Sequence, residues 1–202
     1  IPRFADIDPE TYNMDPEEVE KLIGEKTGAI VAVHHAGLPA DIGGLKAVAD
    51  RHGVPVVEDC AQAWFTRYRG RLCGTFGDVS AFSLNHFKLI TSGSGGMVLT
   101  NRDDLAEIVK LFIDKCYFRD GRKRNPSFLA PNYQMTELQG AVAKGQLSRI
   151  AGIVKRRSEL GMRLIEGLGE IPGVIPQKVP DGYEHSFFLL PVRLDPGVIG
   201  AP

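Results

Sequence analysis

Two short runs, Ala29-Ile30-Val31-Ala32-Val33 and Val54-Pro55-Val56-Val57, are apolar without alternation and stand on either side of a helical pattern. A strand that is apolar on both faces is covered on both faces, which is the environment of a parallel sheet between helices. The intervening helix is marked by Asp41 as its cap, by Ile42, Leu45, Val48 and Ala49 on one stripe, and by Gly53 at its end. Parallel strands need such a crossover, and it is right-handed. An α/β fold with a mostly parallel sheet follows, and ligands of such sheets belong at the carboxyl ends of the strands.

The rest of the chain extends this pattern. Asp15 before Pro16, Glu17 and Glu18 opens a helix carrying Val19, Leu22 and Ile23. The second apolar run ends at the acids Glu58 and Asp59. Val79 to Leu84 reads as a strand, Asn85 to Gly96 as a polar, glycine-rich loop, and Met97 to Leu99 as a short strand. Asp103 to Cys116 is helical, with Leu105, Ile108, Val109, Phe112 and Cys116 on one stripe. After a loop from Tyr117 to Gln134, Thr136 and Glu137 open a long helix to about Glu166. Pro172, Pro176 and Pro180 mark a linker, and Ser186 to Leu194 reads as a strand. Residues 1–166 are expected to form a large domain with its connecting helix, and 167–202 the start of a small α+β domain.

With 202 residues, 43% of them hydrophobic, the chain can bury a conventional core. Its 24 basic and 25 acidic side chains leave a net charge of -1, so no broad field draws it to nucleic acid. Only Tyr117 to Asn125 is locally basic. The longest clean aliphatic run, Ala29 to Val33, is too short for a membrane span or a signal segment. Cys60, Cys73 and Cys116 are odd in number and widely spaced, without Cys-x-x-Cys or zinc-type His spacing, which points to reduced thiols in a cytoplasmic protein and to no metal. A start at Ile1 and a stop just past a strand-like stretch suggest a partial chain.

Three features fall at strand ends or just beyond: Asp59 with Gln62, Ser83, and Lys88 ahead of Gly93, Gly95 and Gly96. A lysine in a glycine-rich turn suits Schiff-base chemistry, because a desolvated amine sheds its proton and attacks a carbonyl. An aspartate at the ligand edge can keep a pyridinium nitrogen protonated, the requirement of pyridoxal phosphate as electron sink. From the residues alone, Asp59 reads equally as a helix cap, Lys88 as a surface cation and the glycines as a tight turn. His34 at a strand end can line a pocket or bond a backbone carbonyl, and Trp64 can flank an entrance or pack.

The segments Val56-Val57-Glu58-Asp59-Cys60-Ala61-Gln62-Ala63, Gly74-Thr75-Phe76-Gly77-Asp78, Phe82-Ser83-Leu84-Asn85-His86-Phe87-Lys88 and Gly93-Ser94-Gly95-Gly96 resemble, in order and spacing, the DegT/DnrJ/EryC1/StrS family of sugar aminotransferases. The similarity extends to Asp6-Ile7-Asp8-Pro9, to His34 through Asp41, and to Asn132-Tyr133-Gln134-Met135-Thr136-Glu137-Leu138-Gln139. It implies an aspartate-aminotransferase-like large domain of fold type I that uses pyridoxal 5'-phosphate, with pyridoxamine 5'-phosphate in the half reaction. By this resemblance Lys88 forms the imine and shuttles the proton, Asp59 pairs with the pyridine nitrogen, Gln62 lies by the phenolic oxygen and Ser83 bonds the phosphate. Asn132 reaches a phosphate across a homodimer with shared sites. His86 and His185, with His34, are expected near substrate. The expected reaction moves an amino group from L-glutamate or L-glutamine to a ketosugar, nucleotide-linked, or to a ketocyclitol.

Ser94 stands where many relatives have Glu, Gln134 where Arg is frequent, and Ala36 where an aromatic is common. Relatives are also longer, with an N-terminal phosphate-binding loop and the distal part of a small domain that this sequence lacks. Two alternatives are a sugar 3-dehydratase, whose relatives carry His where Lys88 stands, and a non-catalytic regulatory homologue.

Overall fold

A computed structural model describes residues 1–118 and 126–200, so the basic stretch from Tyr117 to Asn125 lies largely outside the described residues. Helix α1 (Pro16–Leu22) starts as its sequence dictates: the Asp15 side chain accepts a hydrogen bond from the Glu17 N–H, and Pro16 needs no partner for a donor it lacks. Strand β1 (Ile30–Val33) leads into helix α2 (Ile42–His52), whose cap Asp41 accepts from Gly44 N, and α2 returns the chain through Gly53 to β2 (Val56–Asp59). β2 begins later than the apolar run. Val54 N–H still bonds the α2 carbonyl of Ala49, and Pro55 supplies only its carbonyl, to Ile30 N. It also runs through Glu58 and Asp59 rather than stopping before them.

A small hairpin, β3 (Arg67–Tyr68) and β4 (Arg71–Leu72), precedes β5 (Val79–Ser83) and β6 (Gly96–Leu99). The main sheet has the order β1-β2-β5-β6, with the first three strands parallel and β6 antiparallel to β5. Val19, Ile30, Ala32, Ile42, Leu45, Val48, Ala49 and Val56 form one buried core of this sheet. A second, formed by Trp64, Leu84, Ile90, Ile150 and Val154, packs beneath the loop that follows β5. Burying each of the larger aliphatics is worth about 1.5–3 kcal/mol. Trp64 therefore belongs to a core, and its Nε1 donates to the Ser83 carbonyl at 2.8 Å.

Helix α3 (Asp103–Ile113) ends before Cys116 because Lys115 and Cys116 adopt positive φ, with Lys115 N–H turned to Pro131 O. The expected single helix from Thr136 is two. Helix α4 (Glu137–Leu147) opens with a capping box between Thr136 and Gln139, and α5 (Ile150–Gly169) follows after a break at Ser148 and Arg149. There the Ser148 hydroxyl bonds back to Gly145 O, and Arg149 N bonds Gln146 O in a tighter turn. The expected strand from Ser186 is largely irregular. β7 (Val174–Pro176) pairs with β9 (Val192–Leu194), while β8 (Tyr183–Glu184) joins β3. Phe187 has φ +51°, which breaks strand alternation, and Pro191 lacks a ladder donor. A short helix α6 (Pro196–Ile199) closes the described chain. Among the described residues no helix is long and apolar enough to cross a membrane.

Candidate active site

The parallel strands end together: Val33 lies opposite Asp59, Asp59 opposite Ala81, and Ser83 closes β5 against Gly96 of β6. Beyond this edge, the ladder is extended by His34 N to Asp59 O at 3.1 Å and Cys60 N to Ala81 O at 2.9 Å. Asp59 is half-buried. Its Oδ1 accepts from Ala61 N at 2.9 Å, and among the described residues no hydrogen bond reaches Oδ2. Ser83 Oγ accepts from Asn85 N at 3.3 Å and keeps its own O–H as a donor.

Lys88 sits on the turn after β5, where Lys88 N bonds Asn85 O at 2.9 Å and Leu84 N bonds Gly95 O at 2.9 Å. Its ammonium lies 4.7 Å from the centroid of the Phe188 ring. His86 is exposed and packs against Phe87, ring centroids 3.9 Å apart. Gln62 Oε1 accepts from Ala36 N at 2.7 Å, which holds a turn where Ala36 has φ +60° and no exposed surface. Asn132 is exposed, in an isolated bridge with Asp114.

Two histidines take another position. His34 is fully buried, with Nδ1 accepting from Ala40 N at 3.0 Å and Nε2 donating to Glu58 Oε2 at 3.0 Å. Glu58 also accepts from Gly74, Phe76 and Gly77 N–H groups. Burial alone would raise the Glu58 carboxyl, but His34 and the Gly77 and Gly74 donors outweigh it and hold it below the usual range. Cys60 lies within the same cluster, its thiol pushed up by burial, yet His34 has no free nitrogen for an ion. His185 is likewise buried, its Nε2 bonded to Gln177 Oε1 and its Nδ1 accepting from Phe187 N. Burial pushes it down to about 4 despite a backbone bond with Gly37 that raises it. Neither imidazole presents a free nitrogen, so both act through the backbone they hold.

A cavity of about 1110 Å³ runs along β6 and α3 to Tyr133 and Gln139; none of Lys88, Asp59, Gln62, Ser83 and Asn132 lines it. The carboxyl edge itself carries the Asp59 carboxylate and the Ser83 hydroxyl at the ends of adjacent strands, with Lys88 on the turn that follows β5.

The sequence model of the DegT/DnrJ/EryC1/StrS aminotransferase family matches residues 1–199. The chain belongs to this family. GDP-perosamine synthase of Vibrio cholerae is 37% identical over 201 residues, covering 96% of this chain and 53% of that protein. The L-glutamine:2-deoxy-scyllo-inosose aminotransferase of Streptomyces fradiae is 37% identical over 209 residues, covering 98% and 49%. The crystal structure of the aminotransferase TlmJ from Streptoalloteichus hindustanus superimposes with a TM-score of 0.90 at 29% identity, covering 97% of this chain and 54% of that one. The fold is thus that of the fold type I sugar aminotransferases. The chain spans about half the length of the curated relatives it matches.

Sequence reasoning missed two parts of this region. The Glu58 carboxylate reads as one of a pair of acids at a strand end, and only its four donors reveal it as a hub. Phe188, read as part of a strand, reaches Lys88 through a turn that no local pattern announced.

Proposed function

We propose that the full protein transfers an amino group from L-glutamate or L-glutamine to a nucleotide-linked ketosugar or a ketocyclitol, using pyridoxal 5'-phosphate held at the carboxyl edge of the sheet. The observation that carries this reading is that Asp59 and Ser83 end adjacent strands of the sheet, with Lys88 on the turn that follows Ser83, in a member of this aminotransferase family. The donor set fits the group: a half-buried amine, a carboxylate with one oxygen uncommitted among the described residues, and a hydroxyl at a strand end. The relatives named for perosamine and inosose chemistry support a sugar or cyclitol acceptor.

When bound, the cofactor supplies an electron sink that makes the proton on the amine-bearing carbon acidic. Lys88 would hold the cofactor through its side-chain amine and, when free, would serve as the base that takes up and returns that proton. Asp59 would keep a proton on the pyridine nitrogen. Gln62 spends its carbonyl on Ala36, which leaves its amide N–H groups for the phenolic oxygen. Ser83 would donate to the phosphate, and Asn132, which is exposed, would serve a phosphate in the neighbouring subunit of a homodimer. His86 lies on the substrate side, and His34 and His185 shape the walls. Residues 1–166 and 167–202 divide as large domain and start of the small one, a division supported by the separate β7-β9 sheet although β8 is stitched to β3. Three unpaired cysteines support a reducing, cytoplasmic setting.

The test is reduction of the cofactor-loaded full chain with borohydride, followed by peptide mass spectrometry and a donor-only half reaction. Label on Lys88 and conversion to pyridoxamine phosphate by L-glutamate or L-glutamine are expected. A folded protein that gives neither overturns the reading, and loss of water from a deoxyhexulose without amino transfer would establish the dehydratase instead.

A further inference from the structure

Residues 185–189 belong to no strand or helix, yet they are tied on several sides. Ser186 N bonds Gly37 O at 2.9 Å and Leu189 N bonds Ala36 O at 3.0 Å. Thr66 Oγ1 donates to Ser186 Oγ at 2.8 Å, and from α5 Ser158 Oγ donates to His185 O at 2.7 Å. Arg157 clamps two successive carbonyls, with Nε to Phe187 O at 2.9 Å and Nη2 to Phe188 O at 3.2 Å. Two glycines make room. A Cβ on Gly37 would lie 2.5 Å from Ser186 Oγ and 3.0 Å from Phe188 N, and one on Gly161 would overlap the Phe187 ring. Phe187, at positive φ, stacks its ring on His185, and the next residue, Phe188, reaches the Lys88 ammonium. Gln62, through Ala36, holds the turn against which this strap rests.

We infer that Phe188 is a positioning residue for Lys88: its ring covers one side of the amine, so that a carbonyl or amine partner is admitted from the other, and Arg157 and Gly37 fix the ring there. This rests on the reading of Lys88 as the reacting amine. The ring serves because its π face attracts the ammonium while offering no hydrogen bond that would compete with the incoming group. Both residues are half-buried, so the pair sits at a boundary where substrate can arrive.

The test strips the full chain of cofactor, adds pyridoxal phosphate and quenches samples with borohydride over time. The Lys88 amine condenses with the aldehyde as water leaves, and hydride with a proton from water turns the C=N bond into a stable C–N bond. Modified Lys88 is counted by peptide mass spectrometry, with Lys46 and Lys178 as internal references. Phe188→Leu is expected to slow labelling at Lys88 by roughly three- to thirtyfold, because the amine loses the ring that fixes its direction, an effect within the ~100-fold that a misplaced reacting group can cost, with reference lysines and thermal midpoint unchanged. Phe188→Tyr, which keeps the ring, is expected to label at the wild-type rate. Arg157→Gln, which frees the strap without altering the ring, is expected to slow labelling in the same direction and decides the matter should Phe188→Leu fail to fold. A folded Phe188→Leu or Arg157→Gln variant that labels as fast as wild type overturns the inference, as does a Phe188→Tyr variant as slow as Phe188→Leu. A wild-type protein unlabelled at Lys88 overturns the underlying reading of that lysine instead.

Discussion

Replacing Glu58 by Gln preserves volume and removes one charge at the best-connected buried acid of the sheet. The four donors divide between two oxygens: Oε1 receives Phe76 N at 2.7 Å and Gly77 N at 2.6 Å, and Oε2 receives Gly74 N at 2.7 Å and His34 Nε2 at 3.0 Å. An amide has only one oxygen, so its NH₂ group must face two donors whichever way it turns. Two buried donors left unmatched cost about 1–3 kcal/mol each, or about 2–6 kcal/mol together. That is a large part of the roughly 5–15 kcal/mol that holds a typical domain folded. The assay is urea unfolding at pH 7, followed by circular dichroism and by the fluorescence of Trp64. The pH dependence is a second check. Because the folded-state carboxyl lies below the ordinary glutamate value of 4.5, its stabilisation is complete above that value and is lost as pH falls through the lower, folded-state one. Glu58→Gln should therefore be less stable at neutral pH and less acid-sensitive below 4.5. A loss of under about 1 kcal/mol at pH 7, the net worth of a single ordinary hydrogen bond, would show that the carboxylate is not the shared acceptor of these four groups.

Three further expectations can be checked independently. Burial holds His185 at about 4 against an ordinary 6.5, so the unfolded chain takes up the proton first and stability falls between pH 6.5 and 4, by roughly 3 kcal/mol in all; His185→Gln should flatten that slope in thermal scans buffered across the interval. Gly37→Ala forces a side chain into φ +96° against Ser186, so about 1–3 kcal/mol should be lost, with faster hydrogen exchange at the Ser186 and Leu189 amides. Trp64→Phe removes the donor to Ser83 O, and a loss near 1 kcal/mol or more is expected from that bond and the thinner core, read from the denaturation midpoint.

The sheet was readable where each strand carries its own signal. The unbroken run before Val33, the capped stripe of α2 and the acids after Val57 placed the carboxyl edge, and Asp59 and Ser83 stand at strand ends because of it. What escaped was non-local. β3 and β8 are two residues each, pair across more than a hundred positions, and have no periodicity to read. The break at Ser148 follows from one hydroxyl choosing a backbone carbonyl, which leaves the helical pattern of the sequence intact on either side. Phe187 stacks on His185 and Phe188 reaches Lys88 from a segment bent by one positive φ, a conformation that a phenylalanine does not advertise. His34 was ambiguous between pocket and structural histidine; only the pairing of both nitrogens shows which groups it serves.

Glu58 and Asp59 are consecutive residues of one strand, and the pleat sends one carboxylate into the buried network and the other toward the open edge. A change of residue count in this stretch therefore disturbs both acids at once, whereas a substitution disturbs one. Deleting or inserting a single residue between Val54 and Glu58 would exchange the two faces, thrusting the shorter acid among donors it cannot reach and leaving the longer one at the rim. Length-altering variation in this family should accordingly be found in the turns at either end of β2 and be absent from the strand itself.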